Sequence, residues 1–141
     1  MEVLRLGPQD LPKLTGAESL FDDPISQSAT RAYLEDDRNV FLLAMQQGRP
    51  VGFLRGTSLR QISSDRPQMF IYEIGVDVDF RRQGAGRTLI RALLDFCQAG
   101  GFEEAFVLTD PANSAAVGLY RATGGAPETP ADRMYVYRMR P

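Results

Sequence analysis

Apolar and polar positions alternate along this chain with two different periods, and the changes of period mark its elements. Val3-Leu4-Arg5-Leu6 alternates and predicts a first strand, stopped by Gly7-Pro8. Gln9 to Leu14 predicts a short helix with Pro12 near its start, Leu20 to Ile25 a loop, and Ser26 to Leu34 a helix that buries Ala29, Ala32 and Tyr33. Asp36-Asp37-Arg38-Asn39 ends that helix. Two β-rich runs, Val40 to Met45 and Pro50 to Ser58, flank the turn Gln46-Gln47-Gly48-Arg49 and predict an antiparallel hairpin. A polar loop, Ser63 to Pro67, leads to a β-branched and aromatic run from Met69 to Val78, the expected central strand.

The period then becomes helical: Leu89, Ile90, Leu93, Leu94 and Cys97 fall on one face, and Gly100-Gly101 is a stop signal. Ala105-Phe106-Val107-Leu108 reads as a short buried parallel strand closed by Asp110-Pro111. Asn113 to Ala122 reads as a helix capped by Asn113 and ended by Gly124-Gly125, and Met134 to Arg138 as a last strand. This order predicts an α+β fold with a mixed sheet in a single domain spanning 1–141.

Composition narrows the function more than the fold. A formal net charge of −2 argues against a general nucleic-acid binder and faintly favours cationic partners. One cysteine excludes an intrachain disulfide, and the absence of histidine removes the usual metal ligand and general base. Proton transfer must then fall to carboxylates, tyrosine or water, and no metal is expected. No run approaches the roughly eighteen apolar residues that span a bilayer, and Met1-Glu2-Val3-Leu4-Arg5 does not read as a signal peptide, so the expectation is a cytoplasmic protein with no membrane partner.

The candidate chemistry lies between the central strand and the helix after it, in Asp79-Phe80-Arg81-Arg82-Gln83-Gly84-Ala85-Gly86-Arg87-Thr88. A helix that begins at glycines presents unpaired N–H groups and the positive end of its dipole, with no Cβ at Gly84 or Gly86 to hold an anion away. The same turn also reads as a plain connection in which Gly84 supplies a positive φ and the arginines face water. Neither a Walker loop nor the three-glycine dinucleotide fingerprint is present.

Arg81-x-x-Gly84-x-Gly86 instead resembles the pyrophosphate-binding signature of the GCN5-related N-acetyltransferase (GNAT) superfamily. Asn113-Ser114-Ala115-Ala116-Val117-Gly118-Leu119-Tyr120-Arg121-Ala122-Thr123-Gly124-Gly125 resembles the same family's Asn-x-x-Ala-x-x-Leu-Tyr-x-x-x-Gly-Phe segment, with Gly125 where an aromatic residue is usual. The element order is also similar to the family's fold. Within it, Leu20-Phe21-Asp22, Tyr33-Leu34, the Ile71 to Val76 strand and Arg81 to Gly84 most resemble class I aminoglycoside 3-N-acetyltransferases.

The resemblance implies acetyl-CoA as cosubstrate, its diphosphate held by Arg81, Arg82, Gln83, Gly84, Ala85, Gly86, Arg87 and Thr88, and its pantetheine by Asn113 and Tyr120. It also implies that the central strand splays from its neighbour at Gly75-Val76-Asp77, which makes the Val76 N–H a candidate for the thioester oxygen. Tyr120, by the same analogy, is the general acid for the departing thiolate. Glu73 lies two residues before Gly75, shares its face, and is the best base in a chain without histidine. Asp110, Asp22 and Asp23 are candidates for binding substrate ammonium groups, and Glu35, Asp36 and Asp37 add to the acidity of the 22–37 region.

Plainer readings stand beside these: Glu73 as an edge carboxylate paired with an arginine, Tyr120 as a core aromatic, Asn113 as a helix cap and Asp110 as a turn residue. Cys97, on the apolar helix face, reads as a core thiol, which favours direct transfer in a ternary complex over an acyl-enzyme. The implied acceptor is the 3-amino group of an aminoglycoside. Other small amines, polyamines, protein amino groups and a non-catalytic acyl-CoA sensor remain open, and the Met134 to Arg138 edge is a candidate homodimer contact.

Overall fold

The computed structural model describes residues 1–129, 131 and 134–140. Five strands form one sheet in sequence order: β1 (Glu2–Arg5), β2 (Asn39–Gln46), β3 (Arg49–Leu59), β4 (Gln68–Val76) and β5 (Glu104–Val107). The first four are antiparallel to their neighbours and β5 runs parallel to β4, so the sheet is mixed. Three α-helices accompany it: α1 (Gln27–Glu35), α2 (Ala85–Ala99) and α3 (Ser114–Ala122). No helix among the described residues is long and apolar enough to cross a membrane.

The hairpin β2–β3 turns on Gln47 and Gly48, both with positive φ (52° and 73°), the backbone that matches the twist of two antiparallel strands. Alternation along β2 then feeds two cores. Val40, Leu42 and Ala44 face α2, where they meet Leu89, Ile90, Leu93 and Cys97, while Phe41 and Leu43 face the α1 side with Leu14, Leu34 and Phe53. On α2 four of the five expected apolar positions are buried, but Leu94 is exposed, one step off the stripe that the sheet covers. On α1 the buried residue is Leu34; Ala29 and Ala32 are exposed and Tyr33 is half-buried, because the helix rests on the sheet through its last turn.

The short helix expected over Gln9 to Leu14 is present as a 3-10 helix, Pro8–Leu14, with Pro12 inside it rather than near its start. Two further expectations are corrected. Strand β5 is only half-buried because it is the edge of the sheet. Met134 to Arg138 forms no strand: residues 134–140 carry no regular structure, and their large side chains are exposed.

Leu43 is fully buried at the centre of the α1-side core. Leu43→Ala is expected to cost about 2–5 kcal/mol, read from urea unfolding as a lower midpoint at unchanged slope.

Candidate active site

Strand β4 is paired with β5 only from Gln68 to Ile71, against Glu104 to Val107; its remaining half, Tyr72 to Val76, has no strand partner on that side among the described residues. On the other side it stays bonded to β3, and Asp77 N–H donates to the Val51 carbonyl at 2.9 Å. Alternation therefore turns the Gly75 N–H toward β3 and the Val76 N–H toward the opening. The sheet thus offers main-chain donors in a cleft between β4 and β5.

At the end of this cleft the chain makes a short 3-10 turn, Val78–Phe80, and enters α2. Arg82 (φ 64°) and Gly84 (φ 89°) are both left-handed, and no side chain caps the helix. The first N–H groups of α2, at Ala85, Gly86 and Arg87, are donors the helix itself cannot satisfy, and the left-handed residues at 82 and 84 turn the backbone sharply just before them. A Cβ at Gly84 would meet nothing within 4 Å, so the approach is open. A Cβ at Gly86 would stand 3.1 Å from the Leu119 side chain, so α3 packs directly on the glycine.

Arg82 and Arg87 are exposed and unpaired among the described residues, and Arg81 donates a long bond (3.4 Å) to the Val76 carbonyl. Gln83 donates to the Asp79 carbonyl and Thr88 to the Gly84 carbonyl. The arrangement suits a diphosphate: open backbone donors, the positive helix end and free guanidinium groups converge on it.

The bulge between β3 and β4 decides where Glu73 points. Arg55 pairs with Glu73 and Gly56 with Ile71, so Tyr72 is an extra residue with no partner on β3. Before the bulge, Met69 and Ile71 face α2; after it, Ile74 faces α2 and Gly75 faces Phe53 on the α1 side. One additional residue therefore rotates Glu73 onto the α1 side, where regular alternation from Ile71 would have buried it against α2.

There Glu73 lines a cavity of about 410 Å³ with Asp22, Asp23, Phe21, Tyr33 and Arg55. Its Oε2 accepts from Arg55 Nε at 2.8 Å, and its Oε1 accepts no hydrogen bond from a described residue. The Arg55 guanidinium lies 4.2 Å from the Tyr72 ring centroid and 5.6 Å from that of Tyr33. The Tyr33 hydroxyl donates to the carbonyls of Val40 (2.9 Å) and Gly56 (2.8 Å), pinning the bulge from below, and burial pushes its pKa up to about 12.

Three carboxylates face one guanidinium in this cavity, so its balance is acidic. Arg55 and Tyr33 were not singled out from sequence as parts of a site. Only the facing register of β3 and β4 reveals Arg55, and helical periodicity alone assigned Tyr33 to the core.

The remaining candidates fall elsewhere. Tyr120, on α3, is half-buried beside the α2 core; burial raises its pKa, so its phenol keeps its proton, and its hydroxyl is bonded to no described residue. Asn113 accepts from the Ala116 N–H and caps α3. Asp110 accepts from the Ala112 N–H in the turn before α3 and does not line the acidic cavity. Asp36 is paired with Arg38, and Asp37 lines a separate cavity of about 440 Å³ at the opposite end of β4, so neither joins Asp22 and Asp23. That larger cavity contains no residue of the cleft or cradle. Cys97 is buried, and its thiol is pushed up to about 11, which keeps it protonated and inert near neutrality. Among the described residues no group of three or more acidic, cysteine or histidine side chains could hold a metal.

A splayed β4–β5 pair with a cradle at the helix that follows is the architecture of an acyl-CoA-dependent acyltransferase. A model of the Acetyltransferase (GNAT) family matches residues 10–124, and the chain belongs to that family. It is similar to the aminoglycoside acetyltransferase meta-AAC0020 from an uncultured soil metagenomic sample, solved with trehalose (30% identity, TM-score 0.87, covering 99% of this chain and 96% of that one). The structure of meta-AAC0020 with sisomicin matches at 28% identity and TM-score 0.89, over the same shares of the two chains.

Among curated proteins, the N-alpha-acetyltransferase RimI of Mycobacterium tuberculosis is 35% identical over 104 residues, 73% of this chain and 62% of that protein. Mouse N-acetyltransferase family 8 member 3 is 28% identical over 111 residues, 79% of this chain and 49% of that protein. The chain thus spans about half the length of several curated relatives it matches.

Two outcomes test the geometry. Gly84→Ala places a Cβ on a left-handed backbone and is expected to cost about 1–2 kcal/mol and to weaken coenzyme A binding measured by calorimetry. Tyr33 stays protonated in the fold up to about pH 12, against an ordinary value of 10.0. The stability this confers is complete below pH 10 and is lost as pH rises through 12. Tyr33→Phe is therefore expected to be less stable at neutral pH and to lose less than wild type across that alkaline range, checked by urea titrations at successive pH values.

Proposed function

We propose that this protein is an acetyl-CoA-dependent N-acetyltransferase whose acceptor is a primary amine of a small polycation, with the 3-amino group of an aminoglycoside as the specific reading. The observation that carries it is the bulge at Tyr72, which sets Glu73 where the unpaired half of β4 meets an acidic cavity. The similarity to an aminoglycoside acetyltransferase solved with sisomicin supports the substrate class. In this reading the protein acts in the cytoplasm, where acetyl-CoA is made, and confers resistance.

The α2 amides of Ala85, Gly86 and Arg87, with the guanidinium groups of Arg81, Arg82 and Arg87, hold the cosubstrate diphosphate, and Asn113 and the open edge of β4 hold its pantetheine arm. The Val76 N–H donates to the thioester oxygen, stabilising the negative charge that develops there. Asp22 and Asp23 bind ammonium groups of the acceptor and orient one amine toward Glu73.

The neutral amine nitrogen forms the new N–C bond and the C–S bond breaks. The proton shed by nitrogen goes to Glu73, directly or through a water, and the thiolate takes its proton from the Tyr120 hydroxyl. An ordinary phenol has a pKa of about 10 against about 8.5 for a thiol, so this last transfer relies on the thiolate being desolvated in the cleft.

A second reading, transfer to a protein amino group, has one specific support: the 35% identity to RimI. A sensor that binds acyl-CoA without turnover is the reading from a different class. Thiol release from acetyl-CoA with gentamicin-type aminoglycosides, spermidine, amino acids and a peptide separates the three. Turnover of aminoglycosides with product acetylated at the 3-amino group is expected; turnover of the peptide alone would replace the acceptor, and no turnover with coenzyme A still bound would favour the sensor. Glu73→Gln and Tyr120→Phe are each expected to lower kcat by about 10²–10⁴ while calorimetric coenzyme A binding persists. Unchanged turnover in both would remove the roles assigned to them.

A further inference from the structure

The acidic cavity is electrically lopsided, and its two ends lie on either side of Glu73 along β4. At one end the loop that carries Asp22 and Asp23 begins over Gly75: a Cβ there would stand 3.1 Å from the Leu20 carbonyl oxygen. The Phe21 ring lies 4.5 Å from that of Phe53, the residue facing Gly75 across the ladder. Neither Asp22 nor Asp23 is in an ion pair with a described residue. At the other end, toward the Tyr72 bulge, stands Arg55, with the Tyr72 ring against its guanidinium and Tyr33 bonded to the Gly56 carbonyl beyond it. Two carboxylates and one guanidinium thus bracket the Glu73 oxygen that remains open.

Arg55 is held in place without being used up. Only its Nε–H goes to Glu73, and a guanidinium carries five N–H donors, so donors remain at the cavity wall. The side chains of Arg55 and Glu73 are 30% and 35% exposed, so a molecule in the cavity can reach both. Stacking against Tyr72 restrains the guanidinium from swinging aside as a ligand enters. An arginine fixed there acts on an entering molecule in two ways. It donates to an oxygen placed against it, and it repels a further cation, in a part-buried setting where charges are less screened than in bulk water. The Asp22 and Asp23 end has the opposite preference.

We propose that Arg55 is a specificity-determining subsite of this cavity: it binds an oxygen next to the reacting amine and turns away a cation from that position. The proposal rests on the reading of the cavity as the acceptor site and narrows its substrate class. The acceptor carries its additional ammonium groups on one side of the reacting amine and a hydroxyl or ether oxygen on the other. A ring amine flanked by hydroxyl groups fits both ends. A linear polyamine satisfies only the acidic end: it offers no oxygen to Arg55, and its internal amine cannot reach Glu73 without bringing a terminal ammonium to that guanidinium.

The test uses two matched probes on the full chain, 2-deoxystreptamine and cis-1,3-diaminocyclohexane, which share a six-membered ring bearing two amines and differ in their hydroxyl groups. Dissociation constants are read by calorimetry with free coenzyme A present, so that no transfer follows. Hydroxyl groups also alter the amines themselves, so the ratio of the two constants in wild type is compared with the same ratio in Arg55→Met, which keeps an apolar stem without charge or donors. Wild type is expected to prefer 2-deoxystreptamine. Arg55→Met is expected to reduce that preference about tenfold and to bind spermidine more tightly than wild type does. Arg55→Lys, which keeps the charge without the fork of donors, is expected to go on rejecting spermidine while losing part of the hydroxyl preference; circular dichroism checks that both variants fold. An unchanged ratio in the variants, even with weaker binding of both probes, would mean that Arg55 only steadies Glu73, and would overturn the proposal while leaving the acceptor cavity in place. Binding of neither probe to wild type would overturn both the proposal and the reading beneath it.

Discussion

The site depends on a shortfall in pairing. Strand β4 has nine residues and β5 has four, so the parallel ladder ends at Ile71 and, among the described residues, the second half of β4 is bonded on one side only. Main-chain groups left unpaired in a protein must find water or a ligand, since burying them without a partner costs about 1–3 kcal/mol each. The cleft is therefore a place where the fold itself withholds a strand, and α2 begins at its mouth with a second set of unsatisfied donors. In the proposed reading, recognition of the cosubstrate falls largely to backbone atoms, with arginines supplying counter-charge.

The acceptor side is built on the opposite logic, from side chains aimed by a single inserted residue. Tyr72 interrupts the register with β3, and everything beyond it changes face. Glu73 gains the company of Asp22, Asp23 and Arg55, and loses that of the aliphatic α2 core. Arg55 holds one carboxylate oxygen and leaves the other open. In the proposed reading an incoming ammonium meets a carboxylate already oriented by a guanidinium that is itself laid against two tyrosine rings.

Most of the fold was legible in the sequence because its signals are local. The hairpin turn, the stripe on α2, the glycines at both ends of that helix and the Asn113 cap each follow from a few adjacent residues. The glycine turn that opens α2 was legible for the same reason. What sequence could not show depends on which segments lie opposite each other. The Tyr72 bulge, the Arg55–Glu73 pair and the separation of Asp36 and Asp37 from Asp22 and Asp23 are matters of register and tertiary placement. Ala29 and Ala32 were placed in the core by periodicity, but α1 meets the sheet at Leu34. Met134 to Arg138 has the composition of a strand but carries no regular structure, because composition does not supply a pairing partner.

The contact between Gly86 and Leu119 links the two ends of the cleft. Leu119 presses on the first turn of α2 and immediately precedes Tyr120, so the phenol and the open amides of that turn belong to one mechanical unit. The spacing between them is set where a glycine and a leucine approach closely. In the proposed reading this contact makes a gauge for the length of the arm that joins a diphosphate to a reactive sulfur, and a methyl group added at position 86 would reset it.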